Sequence, residues 1–341
     1  MRRLIGLQQK IVPDLLESMT RRYQILQMIH IMEPIGRRSL AMSVSLSERI
    51  LRSEVTFLKE QGLLQMSQAG MSLTGLGQRI LLELEEVMKE ALGLKELEEK
   101  LKAYLGIEEV IVVAGNSDEF SWVKKELGRA AVNIMHRQVL TDSIVAVTGG
   151  TTVAAIANVM PNDSALASAT FVPARGGVGE LAENQANMIC ATMAKKVGAN
   201  YRMLHVPDRL SEEAYASLIT DQAIQEVLQL IRAANLIIHG IGDANMMAER
   251  RGSNGELRRK LQQQGAVAEA FGYYFGKSGQ IIEKERTIGL QLEDLTDSKY
   301  VISVAGGARK ATAIDAYIRY RPSNVLITDE AAANEILKGG V

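Results

Sequence analysis

Cysteine is almost absent from this chain of 341 residues. The single one, Cys190, excludes an intramolecular disulfide and any multi-cysteine zinc site, and makes a reducing cytoplasm the expected compartment. Long apolar runs are missing too. Stretches such as Val110 to Ala114 and Leu236 to Ile238 fall far short of the roughly 18 residues that a membrane span requires, so no membrane association is expected. Met1 to Pro13 carries Arg2, Arg3 and Lys10 without the apolar core and small-residue cleavage site of a secretory signal. No metal site and no cofactor are expected.

What remains is globular: 47% of the residues are hydrophobic and 23% charged. At roughly 150 residues per domain, the length leans toward two or three domains. A net charge of −1 conceals an asymmetry between the ends. Residues 1–82 hold 11 Lys and Arg against 6 Asp and Glu, whereas the remainder holds 28 against 34. A basic head on an acidic body is what attraction to nucleic acid requires, because phosphates need a local surplus of cations rather than a basic whole protein.

The head reads as three helices and a hairpin. Arg22 to Met32 sets Ile25, Leu26, Ile29 and Met32 at helical spacing, and Glu33-Pro34-Ile35-Gly36 stops it. Arg37 to Val44 is a short second helix, followed by a turn at Ser45-Leu46. Ser47 caps a third that runs to Gln61, where Gly62 ends it. On that third helix Leu51, Val55 and Leu58 make an apolar stripe, while Arg49, Arg52, Thr56 and Lys59 share a separate sector about 80° wide. Leu63 to Met66 and Met71 to Leu73 alternate around Gln68-Ala69-Gly70 like a β-hairpin wing, and Leu76 to Leu84 resumes a helix. The sum is a winged helix-turn-helix over residues 1–82 that binds double-stranded operator DNA. Arg37 and Arg38 are placed at phosphates and Arg49, Arg52, Ser53 and Thr56 at base edges, with Ser47 also in the DNA-binding set.

Residues 83–106 place Leu84, Val87, Ala91, Leu94, Leu101 and Leu105 in an imperfect heptad broken at Glu98, with Gly93 nearby. This is either a dimerising linker or a helix packed on its own domain. From residue 107 to 341 short β-branched runs alternate with helical segments, which predicts an α/β body, three-layered, around a parallel sheet. The expected strands are Val110 to Val113, Ile144 to Val147, Ala169 to Val172, Tyr201 to His205, Leu236 to His239, Val301 to Val304 and Val325 to Thr328. The expected helices include Glu119 to Val139, Asn184 to Val197 and Asp221 to Arg232.

Four of these strands end in glycine loops: Thr148 to Thr152, Ala174 to Gly179, Gly240 to Asp243 and Ala305 to Lys310. Ligands bind at the carboxyl ends of strands in open parallel sheets. Gly149, Gly150, Thr151 and Thr152 lead straight into a helix, so free backbone N–H groups and hydroxyls can cradle a phosphate there. The loop lacks the lysine and spacing of a nucleotide P-loop. Arg175, Arg250, Arg251 and Lys310 supply cations for more than one phosphate, and Gln185 and Glu269 suit sugar hydroxyls. A polyanionic small molecule is the expected ligand.

The body's sheet and loops resemble the phosphosugar isomerase and glucosamine-phosphate deaminase group, whose chemistry needs strand-end carboxylates. Only Asp243 and Glu269 remain as bases here, and His239 reads as a core-edge residue. A pocket with depleted acid–base groups points to a sensor rather than an enzyme, the alternative being a sugar-phosphate isomerase or deaminase with an accessory head. Cys190 reads as a buried small residue.

Five segments taken together are similar to the SorC/DeoR group of bacterial transcriptional regulators over essentially the whole chain: Arg37-Arg38-Ser39-Leu40-Ala41, Ser47 to Val55, Val147 to Thr152, Pro173 to Gly177 and Val304 to Lys310. The resemblance implies a repressor of a central glycolytic, triose-phosphate enzyme operon. It further implies that the effector is fructose 1,6-bisphosphate or a related phosphosugar, while a homo-oligomer, dimer or tetramer, is expected because paired heads suit two operator half-sites. Gly149 to Thr152 would bind one phosphate, and Arg175, Gln185, Arg250, Arg251, Glu269 and Lys310 would complete the site.

Overall fold

The computed structural model describes residues 11–44, 46–162, 164–177, 181–207 and 210–339. Arg2, Arg3, Lys10, the turn residue Ser45 and the end of one glycine loop, Val178 and Gly179, lie outside them. The chain divides into two compact units, Met1–Glu96 and Leu97–Val341.

In the first unit a helix spans Pro13–Met32, begun by a proline at its first turn where no N–H is needed. It starts nine residues before the periodicity suggests. The reason is burial: Leu15 is 60% exposed, so the first turns carry no core-facing stripe to read, and burial concentrates from Tyr23 onward. Helices follow at Arg37–Ser43 and Glu48–Glu60, the latter capped by Ser47, whose hydroxyl accepts from the Ile50 N–H. Strands β1 (Leu64–Ser67) and β2 (Gly70–Leu73) pair antiparallel as the wing, and Ile35 adds two backbone bonds to Met71 beside it. Ile25, Ile29, Leu40, Leu51, Leu58 and Met71 make the core. Burial of each such side chain is worth roughly 1.5–3 kcal/mol.

The heptad of residues 84–105 is not one helix. A helix over Gly75–Ala91 stops at Leu92 and Gly93, the latter at φ +73°, and a second runs over Leu94–Leu105. Left-handed backbone at a glycine is a helix stop. Glu98, the residue that breaks the pattern, reaches the sheet instead, where its carboxylate accepts from the backbone N–H of Val112.

The second unit is built on a seven-stranded parallel sheet. Its strands are β3 (Glu109–Val113), β4 (Ile144–Val147), β5 (Thr170–Pro173), β6 (Asn200–Tyr201), β7 (Leu236–His239), β12 (Tyr300–Val304) and β13 (Val325–Asp329). The spatial order is β3-β13-β12-β7-β4-β5-β6. Residues alternate between the two faces of a strand, and both sets are buried along β4, β7, β12 and β13, so the sheet is covered on both sides. Leu127, Met135, Ile156, Ile189 and Met193 pack against Val147, Phe171, Ile238 and Val304 on one face. The strand expected at Tyr201 to His205 pairs for two residues only. Beyond it the Asn187 side chain takes both the N–H and the C=O of Leu204, which satisfies the backbone without a ladder.

A second sheet was not anticipated. It is antiparallel, in the order β11-β10-β9-β8, with β8 at Gly242–Asp243, β9 at Ala266–Ala270, β10 at Tyr273–Gly276 and β11 at Ile281–Lys284. The β9–β10 hairpin turns through Phe271 and Gly272, both at positive φ (54° and 85°). Two positive-φ residues are what a tight hairpin demands, but the usual Asn-Gly or Asp-Gly signal is absent. Among the described residues no helix is long and apolar enough to cross a membrane, and no cluster of His, Cys, Asp and Glu could hold a metal ion.

Candidate functional site

The chain of the second unit moves from β4 through β5 to β6 in one direction across the sheet, and from β7 through β12 to β13 in the other. The order therefore reverses between β4 and β7, and an open α/β sheet leaves a crevice at the carboxyl ends of such a pair. A cleft lies there, open on one side to solvent. Its walls are the loops after β4, β5, β7 and β12. All ten residues expected to bind the effector line it: Gly149, Gly150, Thr151, Thr152, Arg175, Gln185, Arg250, Arg251, Glu269 and Lys310.

The β4 loop enters a helix over Thr151–Val159 whose N-cap, Gly150 (φ +116°), supplies no side chain. The first N–H groups of a helix have no partner within it, so this end is open to an anion. The loop is tied down from behind: the Gly150 N–H donates to the Asn184 carbonyl, and a Cβ on Gly149 would stand 2.8 Å from that same oxygen. Thr152 is buried at the cleft wall. Gln185 is the residue before the helix Ala186–Val197 and faces Gly177, its Oε1 3.4 Å from where a Cβ on that glycine would be.

Across the cleft, Lys310 follows Gly306 and Gly307. Asp329, at the end of β13, holds this loop: one carboxylate oxygen caps the helix Glu330–Lys338 at Ala332, while the other accepts from the N–H groups of Ser117 and Gly307 at 2.8 and 2.7 Å. Arg309 is drawn away to Asp118 at 3.0 Å. Burial first, and then Lys124 and Arg250, push the Lys310 amine down to about 8. A bound polyanion reverses that balance by favouring the ammonium. Affinity for a phosphate dianion should therefore be level between about pH 7 and 8, where the ligand is fully ionised, and fall as pH rises through 8, with proton uptake on binding near that pH. Calorimetry in two buffers of different ionisation enthalpy checks this, and Lys310→Arg should remove the fall.

Arg251 has the most deeply enclosed side chain among the cations of the lining. Its guanidinium is 1% exposed and held between two carboxylates, Nη2 to Glu269 Oε1 at 2.6 Å and Nη1 to Glu285 Oε2 at 3.0 Å. Both of its terminal nitrogens therefore have carboxylate partners within the protein. Arg175 Nη1 lies 3.3 Å from the same Glu269 oxygen, which also accepts from the Gly272 N–H at 2.7 Å. Burial alone would raise the Glu269 pKa; the Arg251 and Arg175 charges outweigh it and hold the carboxyl below its ordinary range. Arg250 is exposed at the rim.

The groups that an isomerase would use are committed elsewhere. Asp243 caps the helix Ala244–Arg250 at Met246. His239 is fully buried, and burial lowers its pKa to about 4, so it is neutral at pH 7. Its Nδ1 faces the Gly240 carbonyl at 3.0 Å, which can only accept, so Nδ1 carries the proton and Nε2 accepts from Ser303 at 2.7 Å. Cys190 is buried, and its thiol pKa is pushed up.

In the first unit Arg49, Arg52, Ser53 and Thr56 are exposed on the helix Glu48–Glu60, opposite buried Leu51, Val55 and Leu58. Ser47 is engaged as the cap of that helix. Arg37 and Arg38 are exposed at the start of the preceding helix, with Arg38 3.8 Å from Glu48. Sequence reading missed Glu54, a buried carboxylate on the same helix that pairs with the Arg21 charge, 3.0 Å from its Nε, and accepts from Arg22 Nε at 2.8 Å. Arg22 also lies over the Phe57 ring, 3.8 Å from its centroid. These contacts tie the third helix to the first and leave its other face clear.

Comparison with known proteins agrees with this division of labour. Residues 18–88 match the family described as "CggR N-terminal DNA binding domain", and residues 89–338 match "Putative sugar-binding domain". The central glycolytic genes regulator of Priestia megaterium is 53% identical over 339 residues, covering 99% of both chains. That of Bacillus subtilis is 49% identical over 338 residues, again 99% of both. A solved SorC family transcriptional regulator of Enterococcus faecalis superposes with a TM-score of 0.66 at 45% identity, over 71% of this chain and 99% of that one.

Proposed function

The chain belongs to the central glycolytic genes regulators of the SorC family, and from that premise we propose that it represses a central glycolytic operon and answers to fructose 1,6-bisphosphate or a related phosphosugar. It is a DNA-binding transcriptional regulator, and the isomerase or deaminase alternative is set aside on these relatives. The observation that carries the effector reading is the cleft at the β4/β7 reversal. An open helix N-terminus stands on one side of it, and Lys310, Arg175 and Arg250 stand around it. A helix N-terminus and several cationic side chains around one cleft suit a ligand with two phosphates, and Glu269 and Gln185 suit its hydroxyls.

In this reading the exposed face of Glu48–Glu60 contacts base edges, Arg37 and Arg38 contact phosphates, and the protein works in the cytoplasm as a homo-oligomer on a pseudo-palindromic or repeated operator. The effector shifts repression only if it binds the DNA-competent and incompetent forms with different affinity. The test is operator binding at fixed salt with increasing fructose 1,6-bisphosphate, beside sedimentation of the full chain. Specific binding that the bisphosphate alters and that monophosphates alter less, from a dimer or larger, is expected. Operator binding indifferent to every phosphosugar, or full affinity from a strict monomer, would overturn the corresponding part.

A further inference from the structure

From the cleft wall inward, four buried side chains alternate in charge, Arg175, Glu269, Arg251 and Glu285, and the buried Ser253 hydroxyl ends the line. The Ser253 hydroxyl donates to Glu285 Oε1 at 3.0 Å, and Glu285 Oε2 receives Arg251 Nη1 at 3.0 Å. Arg251 Nη2 reaches Glu269 Oε1 at 2.6 Å, and Arg175 Nη1 meets that oxygen at 3.3 Å. Glu285 is fixed by its backbone as well, its N–H donating to the Gly272 carbonyl of the β9–β10 turn at 2.8 Å. Glu285 and Ser253 are absent from the cleft lining, whereas Glu269, Arg251 and Arg175 belong to it.

The asymmetry at Glu269 gives this line a consequence. Its Oε1 takes three donors, from Gly272, Arg251 and Arg175. Among the described residues no hydrogen bond reaches Oε2, which is turned toward the cleft residue Gly242, 3.6 Å from where a Cβ there would stand. An arginine fork facing one carboxylate engages both of its oxygens. Arg251 does not do so here: its second nitrogen donates to Glu285 at 3.0 Å and, more weakly, to the Tyr274 hydroxyl at 3.3 Å, and of the two only Glu285 carries charge.

We infer that Glu285 is a positioning residue that sets ligand selectivity: by holding one arm of Arg251, it leaves the second oxygen of Glu269 available to accept from a hydroxyl of the ligand. This rests on the effector reading above. It carries that reading further by assigning the preference for a hydroxylated phosphate over a bare one to a residue outside the cleft lining. Without the Glu285 charge, Arg251 closes as a fork on Glu269 and takes up Oε2. The same change leaves one more positive charge in the wall, so a plain phosphate loses nothing. The two ligand classes should therefore respond in opposite senses, whereas simple loosening of the wall weakens both.

The experiment titrates full-length wild type, Glu285→Gln, Glu285→Asp and Ser253→Ala with fructose 1,6-bisphosphate and, separately, with inorganic phosphate, alongside thermal melts. Glu285→Gln should raise Kd for the bisphosphate about tenfold while phosphate binding stays level or tightens. Glu285→Asp, which keeps the charge, should recover most of the loss, and Ser253→Ala should move two- to threefold in the same direction. If Glu285→Gln fails to melt cooperatively, Ser253→Ala decides by the same ratio. A wild-type ratio of the two affinities in the folded variants, or equal weakening of both ligands, overturns the inference alone. A wild type without saturable bisphosphate binding overturns the effector reading and this inference with it.

Discussion

Arg49→Ala and Arg52→Ala should each weaken binding to the specific operator by about ten- to a hundredfold, with the fold and sugar-bisphosphate binding unchanged. Both side chains are exposed on the helix Glu48–Glu60, so truncation creates no cavity. The helix keeps its packing through Leu51, Val55 and Leu58 and its anchorage through Glu54 to Arg21 and Arg22. A bidentate arginine contact to a guanine is worth about 1–3 kcal/mol of discrimination. Arg37→Ala should behave differently, weakening specific and random DNA alike and lowering the salt slope by about 1, as expected of a phosphate contact. Fluorescence anisotropy with operator and scrambled duplexes at several salt concentrations separates the two patterns. Unchanged operator affinity in both Arg49→Ala and Arg52→Ala would remove this helix as the reader of sequence.

Elements whose burial is periodic were legible from the residues alone. The helix Glu48–Glu60 announces itself through Ser47, Leu51, Val55 and Leu58, and β4, β7, β12 and β13 through short runs of Val, Ile and Leu buried on both faces. The elements that escaped have weak local signals. The turns before Arg22 bury little, and the break at Gly93 sits inside a leucine spacing that continues across it. The β9–β10 hairpin turns on Phe271-Gly272, where a bulky residue at φ 54° is held by its setting, including the Gly272 N–H bond to Glu269.

The cleft divides the same way. Its glycine loops and Lys310 stand at the ends of recognisable strands, so their convergence follows from the α/β topology. The partnerships of Arg251 do not. They depend on Glu269 and Glu285, which come together only because an antiparallel sheet folds β9, β10 and β11 side by side. Read as a sequence, two adjacent arginines look like two phosphate ligands. The structure turns Arg251 inward between two carboxylates and leaves Arg250 exposed at the rim. Asp329 was hidden similarly: its capping of the last helix is a local signal, but its hold on Gly307 spans 22 residues.

Lys310→Ala, Arg175→Ala and Thr152→Ala should each reduce affinity for fructose 1,6-bisphosphate, in that order of severity, while leaving operator binding intact. Lys310 is half-buried on a loop fixed by Asp329, so its removal deletes a cation of the cleft rather than a freely mobile surface charge. Arg175 is already shared with Glu269 at 3.3 Å, which tempers what it can give to a phosphate. Thr152 adds a hydroxyl at a helix end whose backbone N–H groups persist in the variant, so its loss should be the mildest. A charge-assisted hydrogen bond contributes roughly 1.5–3 kcal/mol, or about ten- to a hundredfold in affinity. Because the basic head lies in the other compact unit, the Lys310 and Arg175 variants should repress constitutively, bound to operator at bisphosphate concentrations that alter the wild type. Calorimetric titration beside operator-binding curves at fixed salt reads both quantities. Wild-type titrations in all three variants would place the effector site elsewhere, and operator binding lost together with ligand binding would show a general defect instead of a deaf repressor.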